Sequence, residues 1–131
     1  MEVASIFSSE KKLVNIFYEF VKSYDKLSLS LIDDDTAYFE NSADGKNEMF
    51  LHYKLNDIEN GFGSNFSEEQ SIYIVNYFRG FSVFLFDISF RNTSFFNTLL
   101  TEFIFSLKNK NIITVDKILL NDPFEGLKPI L

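Results

Sequence analysis

The chain has no cysteine, which excludes disulfides, zinc–thiolate centres and thiol nucleophiles. That composition suits a reducing compartment. Histidine is almost absent too: His52 is the only one, so a histidine-rich metal site is impossible. Any Ser–His–Asp relay must use it. No serine stands in a Gly-x-Ser-x-Gly turn, and His52 lies in a strand-like stretch, so it reads as a strand residue and not as a catalytic base. Both prolines fall within residues 121–131. Apolar runs are broken by Arg79, Asp87 and Arg91 before reaching the ~18 residues of a membrane span. The opening Met-Glu-Val-Ala-Ser-Ile-Phe lacks the basic flank of a signal peptide. With no Gly-rich phosphate loop, the expectation is a cytoplasmic protein with no cofactor, no membrane role and no enzymatic activity.

What the chain has is aromatic mass and unevenly placed charge. Its 131 residues suit one domain, and 17 Phe with 6 Tyr supply the core, since each buried ring removes roughly 150–250 Å² from water. The net charge is −7. Residues 33–69 hold ten acids against Lys46 and Lys54, while the rest of the chain holds nine acids and ten bases. A phosphate backbone needs clustered Lys and Arg, so nucleic acid is not an expected partner. A cationic partner is.

Periodicity orders the elements. Phe81 to Phe90 is apolar on both faces at a period of two: Phe84, Phe86, Ile88 and Phe90 on one, Phe81, Val83 and Leu85 on the other before Asp87 and Ser89. Such a strand belongs mid-sheet, covered on both sides. Ahead of it, Leu13, Ile16, Phe17, Phe20, Val21 and Tyr24 form one stripe of a helix over about residues 10–25. Leu27–Ile32 alternates strictly, Thr36–Glu40 and Met49–Leu55 follow as strands, and Asp44-Gly45 suits the hairpin between them. Ser67-Glu68-Glu69-Gln70 matches a capping box and predicts a helix over 68–79, although Ile72-Tyr73-Ile74-Val75 has the composition of a strand. Ser94–Lys110 is a helix with a broad apolar stripe, and Ile112–Ile118 a strand. The order αβββαβαβ predicts a single α+β domain over residues 1–131: an antiparallel meander plus a right-handed β-α-β crossover, in a mixed sheet flanked by helices. The tail 121–131, with its prolines, cannot extend a central strand.

Three constellations carry possible chemistry. Asp33-Asp34-Asp35 and Asp44-Gly45-Lys46-Asn47-Glu48 both miss the ligand spacing of a calcium loop, so no metal is expected. Asp87 and Arg91 lie where the central strand ends and a helix begins, a place where α/β sheets hold ligands. They form either a small-molecule site of an enzyme, with His52 as helper, or a structural ion pair beside a helix capped by Asn92, Thr93 or Ser94. The acidic segment is the third. Asp33, Asp34, Asp35, Asp44, Glu48, Glu68 and Glu69, with Tyr38 and Phe62 as aromatic anchors, are the expected partner-binding residues. The apolar tail Leu127–Leu131 is a further candidate, as a docking strand.

An acidic, cysteine-free, phenylalanine-rich α+β chain with Glu and Asp gathered in 33–69 and no catalytic signature resembles the immunity proteins of bacterial polymorphic toxins, including contact-dependent growth inhibition systems. The resemblance implies a cytoplasmic, non-enzymatic inhibitor that binds a cognate toxin domain, often a basic nuclease. Phage inhibitors that mimic nucleic acid share the profile. It carries no motif, and so implies no individual site residue.

Overall fold

The computed structural model describes residues 1–57, 66–110 and 117–131. In chain order the elements are β1 (Glu2–Ser8), α1 (Leu13–Lys22), β2 (Leu27–Ile32), β3 (Thr36–Asn41), β4 (Asn47–Asp57), α2 (Glu68–Tyr77), β5 (Phe84–Phe90), α3 (Thr93–Lys110), β6 (Ile118–Asp122) and β7 (Gly126–Pro129). The strands form one sheet in the order β2-β3-β4-β5-β1-β6-β7. The doubly apolar stretch is therefore the fourth of seven strands, the middle of an α+β domain.

Both faces of β5 are used. Phe86, Ile88 and Phe90 join Ala4, Ile6, Phe39 and Leu51 under Phe17 of α1 and Phe96 and Phe103 of α3. Leu85, with Phe7 and Leu119, meets Ile74 and Phe78 of α2 on the opposite face. Each such apolar side chain contributes roughly 1.5–3 kcal/mol before chain entropy is counted. Phe81 is not part of the strand. It is 72% exposed, because its amide bonds back to the Phe78 carbonyl at 3.1 Å and stays in the turn that ends α2.

Sequence periodicity passed over β1. Its Ala4 and Ile6 point one way and Phe7 the other, so it lacks the apolar–polar alternation of a half-buried strand. β1 inserts between β5 and β6 and pairs antiparallel with both. The strand–helix–strand unit β5-α3-β6 thus joins two parallel-running strands that never touch, and every neighbouring pair is antiparallel. The mixed sheet is replaced by an antiparallel one. Of the strand expected over Ile112–Ile118, residues 111–116 lie outside the described residues, and β6 runs on from Ile118 into the tail. The tail then closes a hairpin: Asp122 Oδ1 accepts the Phe124 and Glu125 amides at 2.8 and 3.1 Å. Pro129 sits on the edge strand β7, where its missing N–H costs no ladder bond. Leu127–Leu131 is accordingly spent within the molecule, for β7 pairs with β6 and the Leu131 carbonyl accepts from Ile118 N and from the Tyr77 hydroxyl. A partner cannot take that segment without first displacing it.

Helix ends follow local chemistry. α1 begins at Leu13, later than the stripe suggests, because Ser8 Oγ and Glu10 Oε1 accept the Glu10 and Lys12 amides and hold a turn ahead of it. Asn92 Oδ1 caps α3 through the Phe95 amide at 3.0 Å. The capping box of α2 is formed as read: Ser67 Oγ accepts from Gln70 N at 3.1 Å, and Gln70 Oε1 from Ser67 N at 2.9 Å. Ser67→Ala is expected to cost about 1 kcal/mol, seen as a lower urea midpoint with unchanged slope. At its other end α2 stops in a Schellman turn, with Gly80 N on Val75 O and Arg79 N on Asn76 O. Arg79, not the glycine that follows, occupies the first left-handed position (φ 54). An L-residue there costs about 1–2 kcal/mol, whereas a cation at a helix C-terminus returns about 0.3–1 kcal/mol.

Candidate partner-binding surface

The surface is built on the face of the sheet that carries α2. That helix packs over β5, β1 and β6; over β2, β3 and β4 no helix among the described residues lies on this side. Cross-strand register sets two rows of side chains on the uncovered half. The first runs Leu31, Tyr38, Phe50, Ser89, Val3 and the second Thr36, His52, Asp87, Ser5. In the first row the Tyr38 and Phe50 rings meet edge to face, centroids 4.7 Å apart. Leu31 joins them through a bulge. Strict alternation directs Leu31 inward with Leu27 and Leu29, but Ser30 is an extra residue between the pairs Leu29–Phe39 and Leu31–Tyr38. The insertion reverses the side on which Leu31 emerges, leaving it 58% exposed.

A hydrogen-bonded chain starts in the second row and crosses to Ser89 of the first. The Thr36 hydroxyl donates to Asp35 Oδ1 at 3.1 Å and lies 3.3 Å from His52 Nδ1. His52 Nε2 lies 3.1 Å from Ser89 Oγ. With the Thr36 proton given to Asp35, the tautomer that fits both contacts carries its proton on Nδ1 and accepts from Ser89 at Nε2. Acid, hydroxyl, imidazole and hydroxyl thus stand in relay order, which no sequence motif signals. The arrangement lacks the rest of an acyl-transfer device. Ser89 is nearly buried in mid-strand between β4 and β1, and the amides around it serve the ladder instead of a developing oxyanion. It ties three strands together.

Asp87 and Arg91 do not converge. They share a face, but four residues along a strand separate them by roughly 13 Å. The Asp87 carboxylate takes a 2.6 Å bond from the Ser5 hydroxyl. Arg91 instead reaches Glu48 (Nη2–Oε2 2.7 Å, Nε–Oε2 2.8 Å) and Asp44 (Nη2–Oδ2 3.1 Å). Neither the structural pair nor the converging site expected of these two residues is formed.

The same cluster removes acids from the expected binding set. Consecutive turns of a meander lie at opposite ends of a sheet, so Asp33–Asp35 stand at one end and the turn holding Asp44 at the other. Glu48 is 1% exposed beneath the Arg91 guanidinium, a folding contact and not a surface charge. The β4–β5 register sets Glu48 opposite Arg91, whose amide donates to the Glu48 carbonyl at 2.9 Å, and a bulge lies here between the pairs Phe39–Met49 and Glu40–Asn47. The Asp44 carboxyl pKa is lowered from its ordinary value, chiefly by the Lys46 amide; desolvation opposes this, and the Arg91 guanidinium adds to the lowering. Glu68 and Glu69 are exposed in the first turn of α2, where the helix dipole favours them. Phe62 lies outside the described residues. Asp33, Asp34 and Asp35 remain exposed, with no ion pair among the described residues, next to Leu31 and Tyr38. Leu31, Phe50 and Val3 were not among the expected residues; the alternation of Phe50 and His52 signalled part of this face, but the bulge left no mark.

Among the described residues no three His, Asp or Glu side chains are grouped as metal ligands, and no helix is long and apolar enough to cross a membrane. Set against known protein families, characterised proteins and solved structures, the chain matches none.

Proposed function

We propose that the protein is a non-enzymatic inhibitor of the immunity type, which binds a basic partner such as a bacterial toxin nuclease domain in the cytoplasm through the uncovered half of its sheet. One observation carries the reading: three exposed carboxylates with no ion pair among the described residues (Asp33, Asp34, Asp35) adjoin a row of exposed or half-exposed apolar side chains (Leu31, Tyr38, Phe50). Rigid aromatics supply affinity at an interface core, and unpaired rim charges supply steering. Acids that are neutralised within the fold, Asp44 and Glu48, take no part.

The test is the association rate with a basic nuclease domain encoded beside this chain, followed by stopped flow at several salt concentrations. Replacing Asp33, Asp34 and Asp35 by Asn is expected to slow association about tenfold at low salt and to flatten its salt dependence. Tyr38→Ala is expected to act on dissociation instead. Unchanged kinetics in the triple variant at low salt would refute the acidic surface.

A further inference from the structure

We propose that the hollow between the end of α2 and the start of β6 binds a small phosphate-type oxyanion carried on a flat apolar group. The hollow has a volume of about 280 Å³ and is lined by Ser9, Phe78, Arg79, Phe81 and Lys117. In a chain of net charge −7, that lining holds two cations and, among the described residues, no carboxylate. Neither Arg79 nor Lys117 is paired with an acid among the described residues.

Lys117 commits one donor to the Tyr77 carbonyl at 3.2 Å, with its ammonium 5.3 Å from the Tyr77 ring centre; two donors remain. The Arg79 guanidinium offers the planar fork that matches phosphate oxygens, and the Ser9 hydroxyl adds a neutral donor. Two cations match the charge of a phosphate monoester. Phe78 and the exposed ring of Phe81 supply apolar walls for the group that bears it. The simpler account has both cations serving the negative end of α2. Lys117 already does so through Tyr77, whereas the Arg79 side chain is exposed and has no acid partner among the described residues.

Amide shifts of the full-length chain, titrated with inorganic phosphate, phenyl phosphate and sodium chloride at matched ionic strength, decide the matter. Phosphate is expected to give saturable shifts at Ser9, Arg79, Phe81 and Lys117, with phenyl phosphate saturating at roughly threefold lower concentration. Arg79→Gln is expected to weaken both by about tenfold. Arg79→Gly separates binding from folding: free of the left-handed penalty, it is expected to melt no lower than the parent chain while losing the saturable response. Shifts reproduced by chloride, or binding undiminished in Arg79→Gln, would overturn the site.

Discussion

Replacing Phe17 by alanine is expected to remove about 3–5 kcal/mol of stability, a large share of the roughly 5–15 kcal/mol that a domain of this size holds in all. The ring is fully buried in α1. It stands perpendicular to Phe103 of α3 at 4.9 Å and tilted against Phe86 of β5 at 5.8 Å, so it joins three elements at once. Its neighbours cannot close the gap. Phe86 is held in the central strand by ladders on both sides, and Phe103 is already packed against Phe20 at 5.3 Å. The void therefore persists, with its lost contacts added to the lost transfer energy. Urea unfolding checks this: the midpoint should fall sharply with the slope unchanged. Phe105→Ala serves as control, for that ring is 66% exposed on the same side of the molecule, and its loss is expected to stay within about 0.5 kcal/mol. Equal effects in the two variants would mean that Phe17 is not a keystone of the core.

Arg91→Met is expected to lower the melting temperature by roughly 10 °C, because it strands the buried Glu48 carboxylate without its counter-charge. The pair itself is a different matter from its halves. A buried carboxylate under an exposed guanidinium gains little over an apolar side chain in its place, so Arg91→Met combined with Glu48→Met is expected to recover most of the loss. Failure of the double variant to recover would point to packing by the arginine stem instead of charge. The cluster also sets an acid limb. Asp44 has a depressed carboxyl pKa, so its contribution is present above the unfolded value and fades as pH falls through the folded one. Thermal melts between about pH 7 and pH 3 should lose part of that acid sensitivity in Arg91→Met, where one of the two groups stabilising the Asp44 anion is gone.

Much of this fold can be read along the chain, and the parts that cannot share a physical cause. Ser67 and Gln70 cap α2 through side chains three residues apart, a local geometry that spacing alone specifies. Phe84–Phe90 is mid-sheet because a strand greasy on both faces has nowhere else to go. By contrast, β1 is two-sided, and its place between β5 and β6 depends on partners more than seventy residues away. The bulge at Ser30 reverses Leu31 by one inserted residue, and a second at Glu48 shifts the β3–β4 register; a period-two pattern carries no record of either. Arg79 and Lys117 are close only because α2 ends where β6 begins.

Sequence by itself settled the one-domain α+β plan, the helical stripes, the meander and the excess of acid in residues 33–69, since each follows from local spacing or from counting. Tertiary structure decided which of those acids are free. Charge is counted along the chain but neutralised across space: Arg91 reaches back more than forty residues to quench Asp44 and Glu48. Asp33, Asp34 and Asp35 sit at the far end of the sheet, beyond its reach.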